Sequence, residues 1–171
     1  MDTAAVRVRA ARLDDLEVIR KLTPRLASFG PLATRDADAV VTTVTALLED
    51  ALERATAAPG GEGGHGGGVR PGVAVLIAES PAGEAVGCVQ VQVAMEFFSG
   101  APEAYVAALV VSEAVEGHGV GRALMAAAEA WARERGLGRL SLEVFASNRR
   151  AREFYRKLGF EEDSLRLVRE W

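Results

Sequence analysis

Three glycines at alternate positions, Gly117, Gly119 and Gly121, stand directly before an apolar helical pattern. Glycine allows a ligand to approach the backbone closely, and the N–H groups at the start of a helix attract an anion. Arg122 follows in what would be the first helical turn and adds positive charge. These residue types in this order predict a loop that binds a phosphate group.

Two familiar phosphate-binding loops do not match this segment. The spacing is G-x-G-x-G, and Arg122 stands where the last glycine of a dinucleotide-binding fingerprint belongs. The lysine of a nucleotide-binding P-loop is missing as well. A plain strand-to-helix turn does not explain three glycines at alternate positions. The segment is therefore interpreted as a phosphate loop of another kind.

A second motif lies between Leu142 and Glu162 and reads LEVFASNRRAREFYRKLGFEE. Together with Val110–Gly121, it resembles the GCN5-related N-acetyltransferase superfamily. The resemblance covers about Ala104–Glu162 through its motifs, and the front half of the chain through the order of elements alone. It implies acetyl-CoA as the acyl donor, with its pantetheine arm along the strand before the loop and its pyrophosphate on the loop amides. It implies no metal.

Carried over by position, the resemblance implies roles for individual residues. Val110 and Val111 would meet the pantetheine through backbone groups, and the N–H near Val111 would be the oxyanion donor. Asn148 would contact the cofactor, and Tyr155 would be the general acid that protonates the departing thiolate. The residues implied to hold the pyrophosphate are Gly117, His118, Gly119, Val120, Gly121 and Arg122.

Two of these residues also have a purely structural interpretation. Asn148 fits the N-cap of a helix, which is compatible with a cofactor contact. Tyr155 belongs to the pattern F-Y-x-x-L-G-F, in which aromatic residues at helical spacing commonly form core. Because its position matches the usual tyrosine of the superfamily, the role of acid is favoured.

One residue departs from the family pattern. The superfamily usually opens this loop with Gln or Arg, in the pattern Q/R-x-x-G-x-G/A, whereas this chain has Glu116. A carboxylate close to phosphates is unfavourable unless it points outward. Since backbone amides dominate sites of this type, we expect Glu116 to weaken cofactor binding without abolishing it.

The sequence does not identify the general base. Many relatives place a Glu on the strand before the loop, and here that strand reads YVAALVV. Glu96, Glu103 and Glu143 remain candidates, and deprotonation through water is the alternative. The acceptor has no sharp motif either. The aromatic residues that would form core, or else line the acceptor side, are Phe29, Phe97, Phe98 and Trp171.

Composition limits the class of protein. The chain has 171 residues, 49% hydrophobic and 26% charged, as in a single soluble globular domain. The net charge of −4 argues against a globally basic nucleic-acid binder. The single cysteine, Cys88, excludes an internal disulfide and a Cys-rich zinc site, and it is interpreted as a small buried residue. Without a signal-peptide pattern or a membrane-spanning apolar run, we expect a cytoplasmic protein with no membrane partner.

Charge is unevenly distributed along the chain. Residues 1–115 carry nine basic and fifteen acidic side chains, and residues 116–171 carry eleven basic and nine acidic ones. A basic back half suits a polyanionic ligand, although a solvated helix face gives the same count. The acidic front half mildly favours a cationic amine as acceptor.

Hydrophobic periodicity predicts the elements that must position these residues. Their order is β-α-α-β-β-β-α-β-α-β, a run of antiparallel strands followed by a βαβ-like unit. This order predicts one domain over residues 1–171, of α/β (α+β) class, with a mixed, mostly antiparallel sheet flanked by helices. The predicted strands are Val6–Ala10, Val73–Glu79, Ala85–Phe98, Glu103–Val111, Arg139–Phe145 and Ser164–Trp171, and the predicted helices are Leu13–Leu26, Arg35–Ala57, Gly121–Arg135 and Asn148–Leu158.

Residues 59–72 read PGGEGGHGGGVRPG and hold eight of the 18 glycines. Ordering so many glycines costs backbone entropy, so this segment is predicted to be a flexible loop. It is not predicted to hold a phosphate, because no GK[ST] follows and no helix begins there.

Taken together, the sequence predicts an acetyl-CoA-dependent N-acetyltransferase. It would move an acetyl group to a primary amine of a small molecule, peptide or protein by direct attack in a ternary complex. An acetyl-CoA-binding sensor or regulatory module with little catalysis is the alternative, and an unrelated nucleotide-binding domain is the third hypothesis. A homodimer is left open.

Overall fold

A computed structural model describes residues 6–27, 36–57 and 72–169. Five strands form one sheet in the order β1-β2-β3-β4-β5. Neighbouring strands are antiparallel except for β4 and β5, which are parallel. The mixed, mostly antiparallel sheet predicted from the sequence is therefore confirmed. The strands are β1 (Arg7–Ala10), β2 (Val73–Glu79), β3 (Ala85–Met95), β4 (Pro102–Val111) and β5 (Leu140–Leu142).

Helices cover both faces of the sheet. On one face, Ile19 of the first helix and Leu48 of the third pack against Ile77 of β2. On the other face, Leu124 of the fourth helix packs against Val91 and the rest of a second core cluster. The helices are α1 (Leu16–Leu22), α2 (Pro24–Ala27), α3 (Ala37–Thr56), α4 (Val120–Glu134) and α5 (Arg149–Lys157), with 3₁₀ turns at Leu13–Asp15 and Glu113–Val115.

The first predicted helix, Leu13–Leu26, is broken into a 3₁₀ turn and two α-helices. Pro24 has no N–H, so the carbonyl of Arg20 loses its usual helical donor at that position. The hydroxyl of Thr23 donates to the Arg20 oxygen instead, at 3.1 Å. The break therefore follows from Pro24, which a prediction based on apolar spacing alone does not take into account.

The C-terminal segment also differs from its prediction. Residues 161–169 form no strand in the structure, although the sequence predicts one over Ser164–Trp171. Leu165, Leu167 and Val168 are exposed there. Since their side chains stay in solvent, a strand would gain no burial. The predicted strand over Arg139–Phe145 is shortened to the three residues of β5.

Several predictions fall on parts of the chain outside the described residues. These are the glycine-rich loop up to residue 71, Phe29 and Trp171. In the described ranges, no helix is long and apolar enough to cross a membrane. The same ranges contain no cluster of three or more His, Cys, Asp or Glu side chains that could hold a metal ion.

Candidate functional site

The site begins at the outer edge of β4. β3 pairs with β4 as far as Val111, whereas β5 pairs only with Ala104–Val106. After Val106, the edge of β4 that faces away from β3 has no strand partner within the described ranges. The backbone groups of an unpaired strand edge can hydrogen-bond an extended ligand.

The alternation of backbone groups decides which residues face this open edge. The N–H of Ser112 donates to the oxygen of Val86 on the β3 side, at 2.7 Å. Because backbone groups alternate sides along a strand, those of Val110 also face β3, and those of Leu109 and Val111 face the open edge. The structure thus separates the two valines expected to meet the pantetheine. The backbone of Val111 faces the open edge, where that contact would lie, and the backbone of Val110 is engaged with β3.

A β-bulge lies where the pairing with β5 ends. The register between β3 and β4 shifts at this point, which leaves Ala107 without a partner on β3. Val106 packs on the α4 side of the sheet, whereas Ala108 packs on the α1 and α3 side. Residues two apart on a regular strand face the same side, so the bulge reverses the faces and bends the strand. The bulge helps to open the gap between β4 and β5.

The glycine loop connects the end of β4 to α4. Gly117 and Gly119 have φ angles of 78° and 83°, in the left-handed region that favours glycine. Gly119 is the N-cap of α4 and has no side chain to accept hydrogen bonds from the first N–H groups of the helix. A Cβ added at either glycine would meet nothing within 4 Å. The loop therefore presents bare backbone and helix N–H groups to open space.

Gly121 has a different reason to be glycine. A Cβ built there would lie 3.2 Å from Cζ of Phe154 and 3.9 Å from Cγ2 of Val111. The absence of a side chain lets α4 approach α5 closely. The buried face of α4 begins at Val120 and continues with Leu124 one turn later.

The remaining loop residues divide between core and surface. Val120 is buried and belongs to the core under α4. His118 is exposed, its N–H donates to the oxygen of Val115 at 3.3 Å, and its Nδ1 lies 2.9 Å from the oxygen of Glu116. Arg122 is exposed in the first turn of α4. Of these three side chains, those of His118 and Arg122 are exposed at the loop, and the buried Val120 has only its backbone to offer there.

Glu116 is held by two arginines, Arg25 and Arg150, and the sequence does not predict this pairing. Its Oε1 lies 2.6 Å from Nη2 of Arg25, and its Oε2 lies 2.9 Å from Nη2 of Arg150. Arg25 also pairs with Glu113, at 3.2 Å. A carboxylate inside an anion-binding loop signals that a cationic partner is needed, but its position along the chain cannot be read from the sequence.

α5 is fixed at both ends by local hydrogen bonds. Oδ1 of Asn148 accepts from the N–H of Ala151 at 3.0 Å, which confirms the N-cap interpretation. At the other end, the N–H of Phe160 donates to the oxygen of Tyr155 at 3.1 Å, and Gly159 has a φ of 90°. This is a Schellman motif, and it sets where the helix stops.

Tyr155 lies in an aromatic cluster beside the end of β4. Its ring centroid is 5.1 Å from that of Phe154 and 5.7 Å from that of Phe160. The ring packs against the same core cluster as Val111. Burial raises the pKa of Tyr155 to about 12. The phenol is therefore protonated at neutral pH, as a general acid must be.

Two of the three candidate bases are engaged elsewhere. Glu96 accepts from the N–H groups of Phe98 and Ser99, at 2.9 and 2.7 Å, and these bonds lower its pKa to about 2. Glu103 pairs with Arg139 at 3.1 Å, and eight residues of strand, about 26 Å, separate it from Val111. Glu96 is a turn cap, and Glu103 belongs to the far end of β4.

Glu143 has a different position. It follows β5 directly and is exposed, at the point where β5 leaves β4. Its negative charge adds to burial in raising the pKa of Tyr105, a β4 residue paired with Ser141. Glu143 is thus the one of the three carboxylates that lies beside the mouth of the open gap.

The structure also tests the predicted burial of Cys88, Phe97 and Phe98. Cys88 is fully buried and burial raises the pKa of its thiol to about 12, so the interpretation as a small buried residue is confirmed. Phe97 and Phe98 are exposed at the turn between β3 and β4, so the core interpretation is wrong for them. Their rings pack edge to face, with centroids 5.2 Å apart.

An open strand edge that leads into a phosphate-type loop at a helix N-terminus is an arrangement that suits an extended, anionic ligand. Residues 65–160 match the family described as "Acetyltransferase (GNAT) family". Because the match covers more than half of the chain, this protein belongs to the GNAT acetyltransferase family.

Individual relatives agree with this assignment. The chain is 34% identical over 92 residues to an aminoglycoside N(6')-acetyltransferase type 1 from Stenotrophomonas maltophilia, a match that spans 52% of this chain and 60% of the relative. A putative acetyl transferase from Pyrococcus furiosus superposes with a TM-score of 0.73 at 21% identity, over 98% of this chain and 100% of that one. AAC(6')-Iy, in complex with the bisubstrate analogue CoA-S-monomethyl-acetylneamine, gives a TM-score of 0.65 at 20% identity, over 98% and 99%. At such identities, the two structural matches establish the fold.

Proposed function

We propose that this protein is an acetyl-CoA-dependent N-acetyltransferase that moves an acetyl group to a primary amine by direct attack in a ternary complex. The observation that carries the proposal is the continuity of the open β4 edge with the glycine loop. An extended donor needs hydrogen-bonding backbone along its length and an anion site at its end, and Val111 and Gly119 belong to these two parts. Membership of the GNAT family supports acetyl transfer to amines.

The residues present fit acetyl-CoA. Gly117 and Gly119 leave open space where side chains would otherwise stand. The loop residues Gly117–Arg122 are assigned to the pyrophosphate, and the backbone groups of Leu109 and Val111 to the pantetheine arm and the thioester oxygen. Asn148 remains assigned to a cofactor contact, through the part of its amide that does not cap α5. When bound, acetyl-CoA would supply an activated acyl group.

Residues of the chain must then carry out two proton transfers. Tyr155 is protonated at neutral pH and is assigned as the acid that delivers a proton to the departing thiolate. Glu143 is assigned as the base that removes a proton from the amine, directly or through water, because it lies beside the gap between β4 and β5. Replacing Glu143 by Gln should lower kcat by at least about tenfold. The Glu96→Gln variant is the matched control, since that carboxylate caps a distant turn.

A cationic amine is the favoured acceptor class. The front half of the chain carries an excess of acidic side chains, which attract a positively charged molecule. The curated relative is named as an aminoglycoside acetyltransferase, and aminoglycosides carry several amines. An acceptor panel should therefore include an aminoglycoside with a 6'-amine, a linear polyamine and a peptide with a free N-terminus.

Two measurements test the proposal. Acetyl-CoA and CoA, but not ATP, should raise the melting temperature, since a ligand that binds the folded state stabilises it. Thiol release should then depend on an added amine. If the protein binds acetyl-CoA but releases no thiol with any amine, the sensor alternative is favoured. The engagement of Glu96 and Glu103 in other contacts supports that alternative. No thermal shift at millimolar acetyl-CoA would refute both.

A further inference from the structure

Four charged side chains form an ion-pair cluster at the glycine loop, which we call the Glu116 bridge. It consists of Arg25, Glu113, Glu116 and Arg150. Arg25 lies on α2 and Arg150 on α5, so the bridge ties two helices to the loop from different sides. Glu116 is the centre, because each of its carboxylate oxygens lies within 3 Å of a different guanidinium.

The bridge changes what Glu116 does to an anion. Taken alone, a carboxylate in this loop repels phosphate. Here Glu116 is paired with two guanidinium groups. With Glu113, the four side chains of the bridge carry two positive and two negative charges, so the bridge is neutral and the repulsion by Glu116 is offset. The side chain of Glu116 is only 26% exposed, whereas that of Arg150 is 69% exposed. In the ion pair between Glu116 and Arg150, the positively charged side chain is thus the one that faces solvent.

Arg150 has the chemistry of a phosphate ligand. A guanidinium carries five N–H donors, and one nitrogen of Arg150 is directed at Glu116. The residue lies in the first turn of α5, where a positive charge opposes the helix dipole. Neither α4 nor α5 has an acidic residue in its first turn, and the two helices contact each other at Gly121 and Phe154. Two helix N-termini without acidic side chains therefore lie at the same loop as Arg150.

We propose that Arg150 binds a phosphate group of the CoA donor, and that Glu116 is a positioning residue that holds its guanidinium at the glycine loop. This inference rests on the proposed function, since it requires a CoA-type ligand on the loop. The positive charge that contacts the donor then comes from Arg150 of α5, and Glu116 strengthens donor binding by positioning it.

Direct binding of CoA to the Arg150→Gln variant tests the proposal without measuring turnover. We expect calorimetry to show Kd raised by at least about threefold, as for loss of one exposed charge contact. The increase should shrink at high salt, which screens the lost charge. Arg156→Gln is the matched control, because Arg156 is on the same helix, 70% exposed and paired with Glu153 at 3.0 Å. Its Kd should equal that of the wild type.

A charge exchange tests the role of Glu116. Glu116→Arg alone places three guanidinium groups together and should weaken CoA binding and lower the melting temperature. Adding Arg150→Glu restores an opposite pair, so the double variant should recover most of the lost melting temperature, but its Kd for CoA should stay raised because the guanidinium at position 150 is gone. Arg150→Lys should bind CoA better than Arg150→Gln, since it keeps the charge.

The outcomes separate this proposal from the proposed function. If wild-type protein does not bind CoA, the proposed function itself fails. If the wild type binds CoA and Arg150→Gln behaves like Arg156→Gln, the donor site stands and the role of Arg150 is refuted. Tighter binding by Glu116→Arg alone would show that Glu116 only repels phosphate and does not position Arg150.

Discussion

Gly121 of α4 and Phe154 of α5 lie so close that a Cβ on the glycine would stand 3.2 Å from Cζ of the ring. The same phenylalanine ring packs against the ring of Tyr155. The third glycine of the loop thus sets how closely the two helices pack, and with it the position of the aromatic cluster beside Val111. The glycine motif, which by itself suggests only ligand binding, therefore also contains a glycine that helix packing requires.

Gly121→Ala should therefore lower the free energy of unfolding by about 1–2 kcal/mol. Overpacking costs about 1–3 kcal/mol, partly offset by the better helix propensity of alanine. Phe154 cannot move freely to relieve the contact because Tyr155 packs against it. Urea unfolding measures the change, and adding Phe154→Leu should restore stability.

Gly138→Ala is the control for that substitution. A Cβ at Gly138 meets nothing within 4 Å, and the residue is exposed before β5. Its unfolding free energy should stay within about 0.5 kcal/mol of the wild type, as for most surface substitutions. Equal effects at both glycines would show that the contact with Phe154 does not matter.

Gly119→Glu should abolish the thermal shift caused by acetyl-CoA. The side chain would fill the open space of the loop and add a negative charge to an anion site. Left-handed backbone also makes the substitution strained, which costs some stability by itself. Thermal melts with and without acetyl-CoA separate the two effects.

Gly83→Glu provides the comparison for this strain. Gly83 has a φ of 81° and equally open surroundings, but lies in the turn between β2 and β3. We expect a similar fall in melting temperature and a normal shift with acetyl-CoA. A normal shift for Gly119→Glu as well would place the ligand elsewhere.

Tyr155→Phe should lower kcat by at least about tenfold, since general acid catalysis typically contributes about 10²–10⁴-fold. The phenylalanine keeps the ring contacts with Phe154 and Phe160, so the melting temperature and the Kd for acetyl-CoA should change little. Steady-state kinetics with a saturating amine measures the effect. An unchanged kcat with chemistry rate-limiting would mean that solvent protonates the thiolate.

Alkaline unfolding gives a second readout of Tyr155. Burial raises its folded-state pKa to about 12, whereas an unfolded tyrosine titrates near 10. Its contribution to stability is therefore complete below about pH 10 and is lost as the pH rises to about 12, up to about 2.7 kcal/mol. Tyr155→Phe should lose less stability than the wild type between pH 10 and 12 in urea unfolding. Equal losses would show that the hydroxyl is solvated in the folded state.

Local patterns in the sequence predicted much of the architecture around the site. α4 and α5 lie within one residue of their predicted bounds, because apolar spacing, Gly119 at one N-cap and Asn148 at the other act over a few residues. The sheet class followed from the order of elements, and the glycine loop from residue types in sequence. For the two helices and the loop, the interactions that decide the structure join neighbours along the chain, and the sheet was predictable because strands that follow one another in sequence pair with one another.

The tertiary structure decided the rest, because the contacts concerned join distant residues. Glu116 and Arg25 are 91 positions apart, so their pairing cannot be read from a motif. The bulge at Ala107 and the side to which Val111 turns depend on the register with β3, and YVAALVV is apolar on both faces. A strand covered by helices on both sides has no alternating pattern to reveal its register, and only packing between the layers determines it.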